Sequence, residues 1–330
     1  MGSFALVIAG AAVLALLVML LQRRKTGIRT GTVFLFGAAA VPLCILLSRA
    51  AFWLCSIEWM KKISVSFWDF AGSGYTYMLY GAVIGGFAAA FLAAKTSGEP
   101  FARVADAAAA PVALLIAAGR FGEYLINAGF GARVAEWFDP FEEVSMIAWE
   151  DPSPICRFPL AVQNYYGTWC FSVNLWEGLA GIAFLIVLLT MKKRREGGAS
   201  TLLLLMYAVC QITFESMRKD NVIIWGFVKA NQLISALLVL GILAFCWLKQ
   251  PKGQRSAKQL WIRTAMLLIA AGIVMLMEFA LDLKINFLLW MRADLCYIVM
   301  AAACIWMLLT VLPVWRKAWP ATENEKESIG

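Results

Sequence analysis

Arg120, Glu123 and Asn127 are spaced three and four residues apart, which puts all three on one face if the segment is helical. A guanidinium offers a planar fork that matches the oxygens of a phosphate, and a carboxylate beside it can hold that fork or accept a proton. Gly119 and Gly122 flank the arginine and leave space for a close helix or a ligand. A second polar row, Tyr207, Gln211, Glu215 and Arg218, has spacings of four, four and three. Arg49 stands alone near the end of its own apolar run. The plainer alternative is that Arg120–Glu123 and Glu215–Arg218 are ion pairs that only hold helices together. The chain has no histidine. It therefore lacks the side chain that titrates nearest neutrality and the commonest metal ligand, and neither a metal nor a cofactor is expected.

These residues matter because of the elements that carry them. Hydrophobic residues make up 62% of the 330 and charged residues 15%, where soluble domains have about 25% charged. A helix that crosses a bilayer needs about 20 apolar residues. Nine runs qualify, at 4–21, 31–54, 77–95, 106–127, 175–191, 200–217, 225–247, 260–281 and 287–312. The fold expected is an all-α polytopic helix bundle. A charge at the centre of such a span costs at least about 2.5–3.5 kcal/mol, so Arg120 and the row on 200–217 are where function should be sought.

Lysine and arginine orient the bundle. Eighteen fall in the segments that share a side with 22–30 and the C-terminal tail, and seven in the others. That bias predicts an outside N-terminus and a cytoplasmic C-terminus. The formal charge of +8 is then a retention signal rather than a nucleic-acid-binding surface. Arg120 lies some 14 residues into its span, or about 20 Å from the inner side at about 1.5 Å per residue. Both polar rows thus point to one outward-opening polar cavity. The apolar run at the start is expected to stay as a helix, because its charges follow it instead of preceding it.

The chain then divides into four helices over 1–127, an outer head or lid over 128–174, three helices over 175–247, two more over 248–313 and a tail over 314–330. The head holds Glu136, Asp139, Glu142, Glu143, Glu150 and Asp151. It also holds Cys156 and Cys170 on the side where disulfides persist. A bridge between them would close a loop of about 15 residues and add roughly 3 kcal/mol.

Several stretches resemble one family. GRFGEYLINAGFG from Gly119 is similar to the prolipoprotein diacylglyceryl transferase signature, close to GRIGNFINGELYG. YGAVIGGFAAAFLAAKTSGEPFARVAD (80–106) resembles the family's HGGLIG segment and the loop after it, and NLWEG (174–178) its QLYE. MYAVCQITFESMRKD (206–220) resembles YGxxRFxxEFxREPD, and NQLISALLVLGI (231–242) the GQxLS helix, all in order over about 45–247. The resemblance implies a seven-helix core that moves a diacylglyceryl group from phosphatidylglycerol to the lipobox cysteine of a prolipoprotein.

Arg120, Gly119, Gly122, Gly131, Glu177, Tyr207, Glu215, Arg218 and Gln232 match the family's pattern. Tyr80 stands where the family has its histidine, Glu123 where it has asparagine, Ala128 where it has glutamate and Gln211 where it has the first of two arginines. A phenol, ordinarily titrating near about 10, is a poor base at neutral pH, which leaves Glu123 as the candidate replacement. The resemblance implies Arg120, Glu123, Tyr80, Tyr207 and Glu215 as catalytic residues. Arg218, Gln211, Asn127, Gly119, Gly122, Arg49 and Glu177 would bind an anionic phospholipid and the prolipoprotein signal peptide. The alternatives are a homologue repurposed to bind phospholipid or lipoprotein without turnover, and a transporter or structural subunit on the same scaffold. The last two spans have no counterpart in the family's plan.

Overall fold

The computed structural model describes residues 2–62, 66–67, 77–134, 156–219, 223–225, 228–282, 284, 288 and 291–321. Among them nine helices are long and apolar enough to cross a membrane, at the places read from the sequence. They are α1 (Gly2–Thr26), α2 (Thr30–Cys55), α4 (Leu79–Ser97), α5 (Phe101–Glu123), α6 (Val173–Thr190), α7 (Gly198–Met217), α8 (Ala230–Lys249), α9 (Ala257–Leu281) and α10 (Ala293–Ala318). A short helix, α3 (Ile57–Lys62), follows α2. The acidic residues expected in the head, Glu136 through Asp151, lie outside the described residues.

Apolar side chains point outward along the bundle, Leu6, Phe34, Ile84, Leu237 and Ile298 among them, as a surface solvated by lipid requires. The interior is built from small residues. At Gly81 an added Cβ would stand 2.3 Å from the Leu47 carbonyl oxygen, and at Gly85 2.6 Å from the Cys44 Cα. The pair, four apart on α4, lets α2 come into backbone contact. Gly181 does the same between α6 and Ala117 of α5. Helix α7 is the most enclosed span. It packs against α5, α6, α8 and α10, and its Leu205, Ala208 and Ile212 sit at the centre of the larger hydrophobic cluster.

Two hairpins close one end of the bundle. In the first, β1 (Ala161–Gln163) pairs antiparallel with β2 (Trp169–Phe171). Its turn is held by the Asn164 Oδ1, which accepts from the amides of Tyr166 and Thr168 at 3.0 Å. In the second, β3 (Ile224–Trp225) pairs with β4 (Val228–Lys229) just before α8.

The expected Cys156–Cys170 bridge is corrected by this arrangement: both are thiols. Side chains alternate along a strand. Trp169 and Phe171 face the large cluster, which Cys156 also touches, whereas Cys170 faces the other way, into a small cluster with Phe130 and Val162.

Candidate active site

The site is assembled where α5 ends, α6 begins and α7 ends. Helix α5 stops at Glu123 and continues as one 3-10 turn, Tyr124–Ile126. Asn127 then takes a left-handed conformation, φ 56°, which reverses the chain. Gly129, at φ 78°, has no room for a side chain: a Cβ there would lie 2.3 Å from Glu123 Oε2 and 2.9 Å from the Asn174 Cβ. The Gly131 amide then donates to the Phe171 carbonyl at 2.8 Å. Gly131 also bridges to Arg218, the residue that follows α7. The loop after Glu123 is thus stitched to both β2 and Arg218.

This folding brings four charges together. Arg120 Nη1 donates to Glu123 Oε1 at 2.6 Å, and Arg120 Nε is in contact with Glu177 Oε2. Arg218 Nη2 lies 3.5 Å from Glu123 Oε2, and Arg218 Nη1 lies 3.5 Å from Glu177 Oε2. Two guanidiniums and two carboxylates therefore alternate around a square with no net formal charge. Each of the four is mostly buried, Glu177 most of all with 2% of its side chain exposed. Arg120 Nε, Glu123 Oε2 and both oxygens of Glu177 are buried without an aligned hydrogen bond. Charge contact alone holds them, an expensive state in a low-dielectric site.

A crevice of about 10 Å³ opens beside the square, lined by Glu177, Tyr207, Gln211, Cys210, Phe184 and Phe214 among others. Such a space admits about one water. The two polar rows do converge, and among the described residues their charges lie against one another beside this crevice.

The remaining expected residues divide. Tyr207 and Gln211 line the crevice. Tyr80 touches Tyr207 edge to face, with ring centres 5.6 Å apart, and its hydroxyl is tied to Ser235 Oγ at 2.5 Å. Glu215 is buried one turn before Arg218, where its Oε1 accepts from Asn231 Nδ2 at 2.9 Å. Asn127 serves the backbone: its Oδ1 accepts from the Tyr165 amide at 2.8 Å, which holds the first hairpin over the loop. Gly119 and Gly122 face α1: a Cβ on Gly122 would meet the Phe4 ring at 3.0 Å, and one on Gly119 would stand 4.0 Å from Ile8 Cδ1. Arg49 is buried elsewhere on α2, with its Nη1 3.4 Å from the Tyr77 hydroxyl.

Some participants were missed from the sequence. Asn174 donates to the Ala128 carbonyl at 3.2 Å and so locks α6 to the loop. Lys229 Nζ donates to the carbonyls of Glu215 and Ser216. Glu278 of α9 accepts from Gln232. A lone carboxylate in a 25-residue apolar helix was a legible signal for it.

Residues 1–248 match the family described as prolipoprotein diacylglyceryl transferase, a stretch that contains the whole square. Similar proteins include one from Shouchella clausii (strain KSM-K16), 27% identical over 218 residues, which is 64% of this chain and 75% of the relative. Another, from Geobacillus kaustophilus (strain HTA426), is 25% identical over 219 residues, 66% of this chain and 77% of the relative. A third, from Bacillus velezensis (strain DSM 23117 / BGSC 10A6 / LMG 26770 / FZB42), is 23% identical over 250 residues, 76% and 88% respectively. All three are named phosphatidylglycerol–prolipoprotein diacylglyceryl transferase. By that match the chain, a multi-pass membrane protein, belongs to the prolipoprotein diacylglyceryl transferase family.

Proposed function

We propose that this protein transfers the diacylglyceryl group of phosphatidylglycerol to the thiol of a lipobox cysteine in a prolipoprotein signal peptide. The observation that carries this reading is the charge square of Arg120, Glu123, Glu177 and Arg218. The N-terminus faces outward and the C-terminus the cytoplasm of a bacterial inner membrane, which puts the square beneath the outer leaflet. Residues 128–134 and 156–174 belong to the head on that side.

An anionic headgroup competes with the two carboxylates for the guanidiniums. Arg120 and Arg218 turn their forks onto the phosphate oxygens, the geometry for which arginine is suited. Glu123 or Glu177, relieved of its cation, accepts the proton of the cysteine thiol. The sulfur then attacks the glycerol carbon that bears the phosphate. The carbon–oxygen bond breaks, and the glycerol phosphate leaves with its electron pair, neutralised by the same two guanidiniums. Tyr80, held by Ser235, shapes the pocket and does not carry the proton.

The names of the relatives favour turnover over the alternative of a binding protein without catalysis. The test uses purified protein in phosphatidylglycerol bilayers and a peptide with a lipobox cysteine. Lipid labelled in its diacylglyceryl part should transfer its label to the thiol, and Arg120→Ala and Glu123→Gln should each abolish the transfer. Lipid binding with no transfer in the wild type would overturn the reading.

A further inference from the structure

The family match ends at residue 248, so α9 and α10 lie beyond it. They are not a detached pair: α10 packs against α7 and α8, and α9 packs against α8. At the end of the bundle that holds the square, α9 contributes one carboxylate, Glu278. Its Oε1 accepts from Gln232 Nε2, which also donates to the Ile212 carbonyl of α7 at 3.0 Å. Its Oε2 lies 3.8 Å from Lys229 Nζ. That ammonium donates to the Glu215 carbonyl at 3.1 Å and the Ser216 carbonyl at 2.9 Å. These carbonyls belong to the last turn of α7, where helix carbonyls lack intrahelical partners and the helix dipole is negative. Met217 ends the helix, and Arg218 follows in an extended conformation, φ −72° and ψ 141°.

We propose that Glu278, on the helix pair outside the family match, is a positioning residue. It holds Lys229 over the last carbonyls of α7 and so sets where Arg218 presents its guanidinium to the lipid phosphate. The proposal rests on the functional reading given above. The added helices then complete the support of the site instead of only anchoring the chain. Among the described residues, Glu278 is the one carboxylate within 4 Å of the mostly buried Lys229 Nζ.

The charged groups around Lys229 agree with this. Burial draws its ammonium below the ordinary lysine value, Glu278 is the largest influence pulling it back up, Lys219 lowers it, and Glu215 and Asp282 raise it. Removing the Glu278 charge removes the main upward pull. Lys229 then loses its proton at lower pH, and the cap on α7 fails there.

The test compares wild type, Glu278→Gln, Glu278→Asp, Lys229→Met and the double variant Glu278→Gln with Lys229→Met, all as the full chain in phosphatidylglycerol bilayers. Transfer to a lipobox peptide is followed against pH. Acetic anhydride labelling of Lys229 reads its titration without turnover. In Glu278→Gln the labelling curve and the alkaline limb of activity should both move to lower pH. Near neutral pH, activity should fall about ten-fold, the scale of a partly buried charge at a helix end. Glu278→Asp should recover part of the loss, and the double variant should lose no more than Lys229→Met alone. An unmoved labelling curve in Glu278→Gln, or additive losses in the double variant, would overturn the proposal. An inactive wild type would count instead against the transferase reading, and the labelling curve would still decide whether Glu278 controls Lys229.

Discussion

Two polar clusters share one end of this bundle and are built to different rules. The square of Arg120, Glu123, Glu177 and Arg218 joins full charges, and four of its buried atoms have no aligned hydrogen bond. The neighbouring seam of Glu215, Asn231, Gln232, Lys229 and Glu278 mixes charges with amides and carbonyls and is joined by directed hydrogen bonds. Of its buried side-chain atoms, only Asn231 Oδ1 lacks one. Directed bonds cost little to keep and much to break, so the seam suits a support. Three of the square's four contacts carry no aligned hydrogen bond, and charges held in this way can exchange one partner for another of the same sign, which fits the phosphate site proposed above.

The largest effects should separate charge balance from chemistry. Arg120→Ala leaves Glu177 buried beside fewer cations and should destabilise the fold by about 3–5 kcal/mol, while transfer falls at least about a hundredfold. Adding Glu177→Gln removes the orphaned charge. The melting temperature of the double variant should return most of the way to that of the wild type, with transfer still absent. If activity returned with stability, the square would be a packing device and the contrast with the seam would fail.

A smaller effect is expected at Gly129. Alanine there would force a side chain onto a residue at φ 78° and push against Glu123 Oε2. The strain is worth about 1–3 kcal/mol, and displacement of Glu123 should lower transfer about ten-fold. Kinetics on Gly129→Ala would sharpen the comparison, because no atom of the seam lies among the contacts of that glycine.

Tyr80 lies between the clusters, with its ring against Tyr207 and its hydroxyl on Ser235 of α8. If it replaced the family's histidine as base, Tyr80→Phe would be as damaging as Arg120→Ala. Because the hydroxyl is already engaged, the expected loss is one hydrogen bond, about 1 kcal/mol, and less than about a ten-fold fall in transfer. A hundredfold fall would move the base from the carboxylates to the phenol.

What was legible in the sequence follows the same division. The nine spans could be read because a bilayer demands a fixed length of apolar chain, and Arg120 and Glu123 could be placed on one face by their spacing. Glu177 was visible only through the family resemblance, since it stands alone at the head of an apolar helix. Gly119 lies four residues before Glu123 and by spacing shares a face with it; that it turns toward Ile8 of α1 is decided by packing. Glu278 escaped because the charges tallied for orientation were lysines and arginines. The narrowness of the crevice was beyond sequence reading, because it depends on four side chains from three helices meeting in space.

The smallest expected effect comes from a pair that matches the square in distance. Arg103 and Glu196 meet at 2.6 Å, as Arg120 and Glu123 do, but their side chains are 35% and 43% exposed. Water and salt screen such a pair, and ordering two long side chains offsets the attraction. Glu196→Gln should shift stability by no more than about 0.5 kcal/mol, leave transfer unchanged, and lose even that shift in high salt. Thermal unfolding at low and high ionic strength checks this. A salt-resistant loss of several degrees would mean that contact distance, rather than burial, sets the strength of hydrogen-bonded ion pairs in this protein, and the weight given to burial in the square would lose its basis.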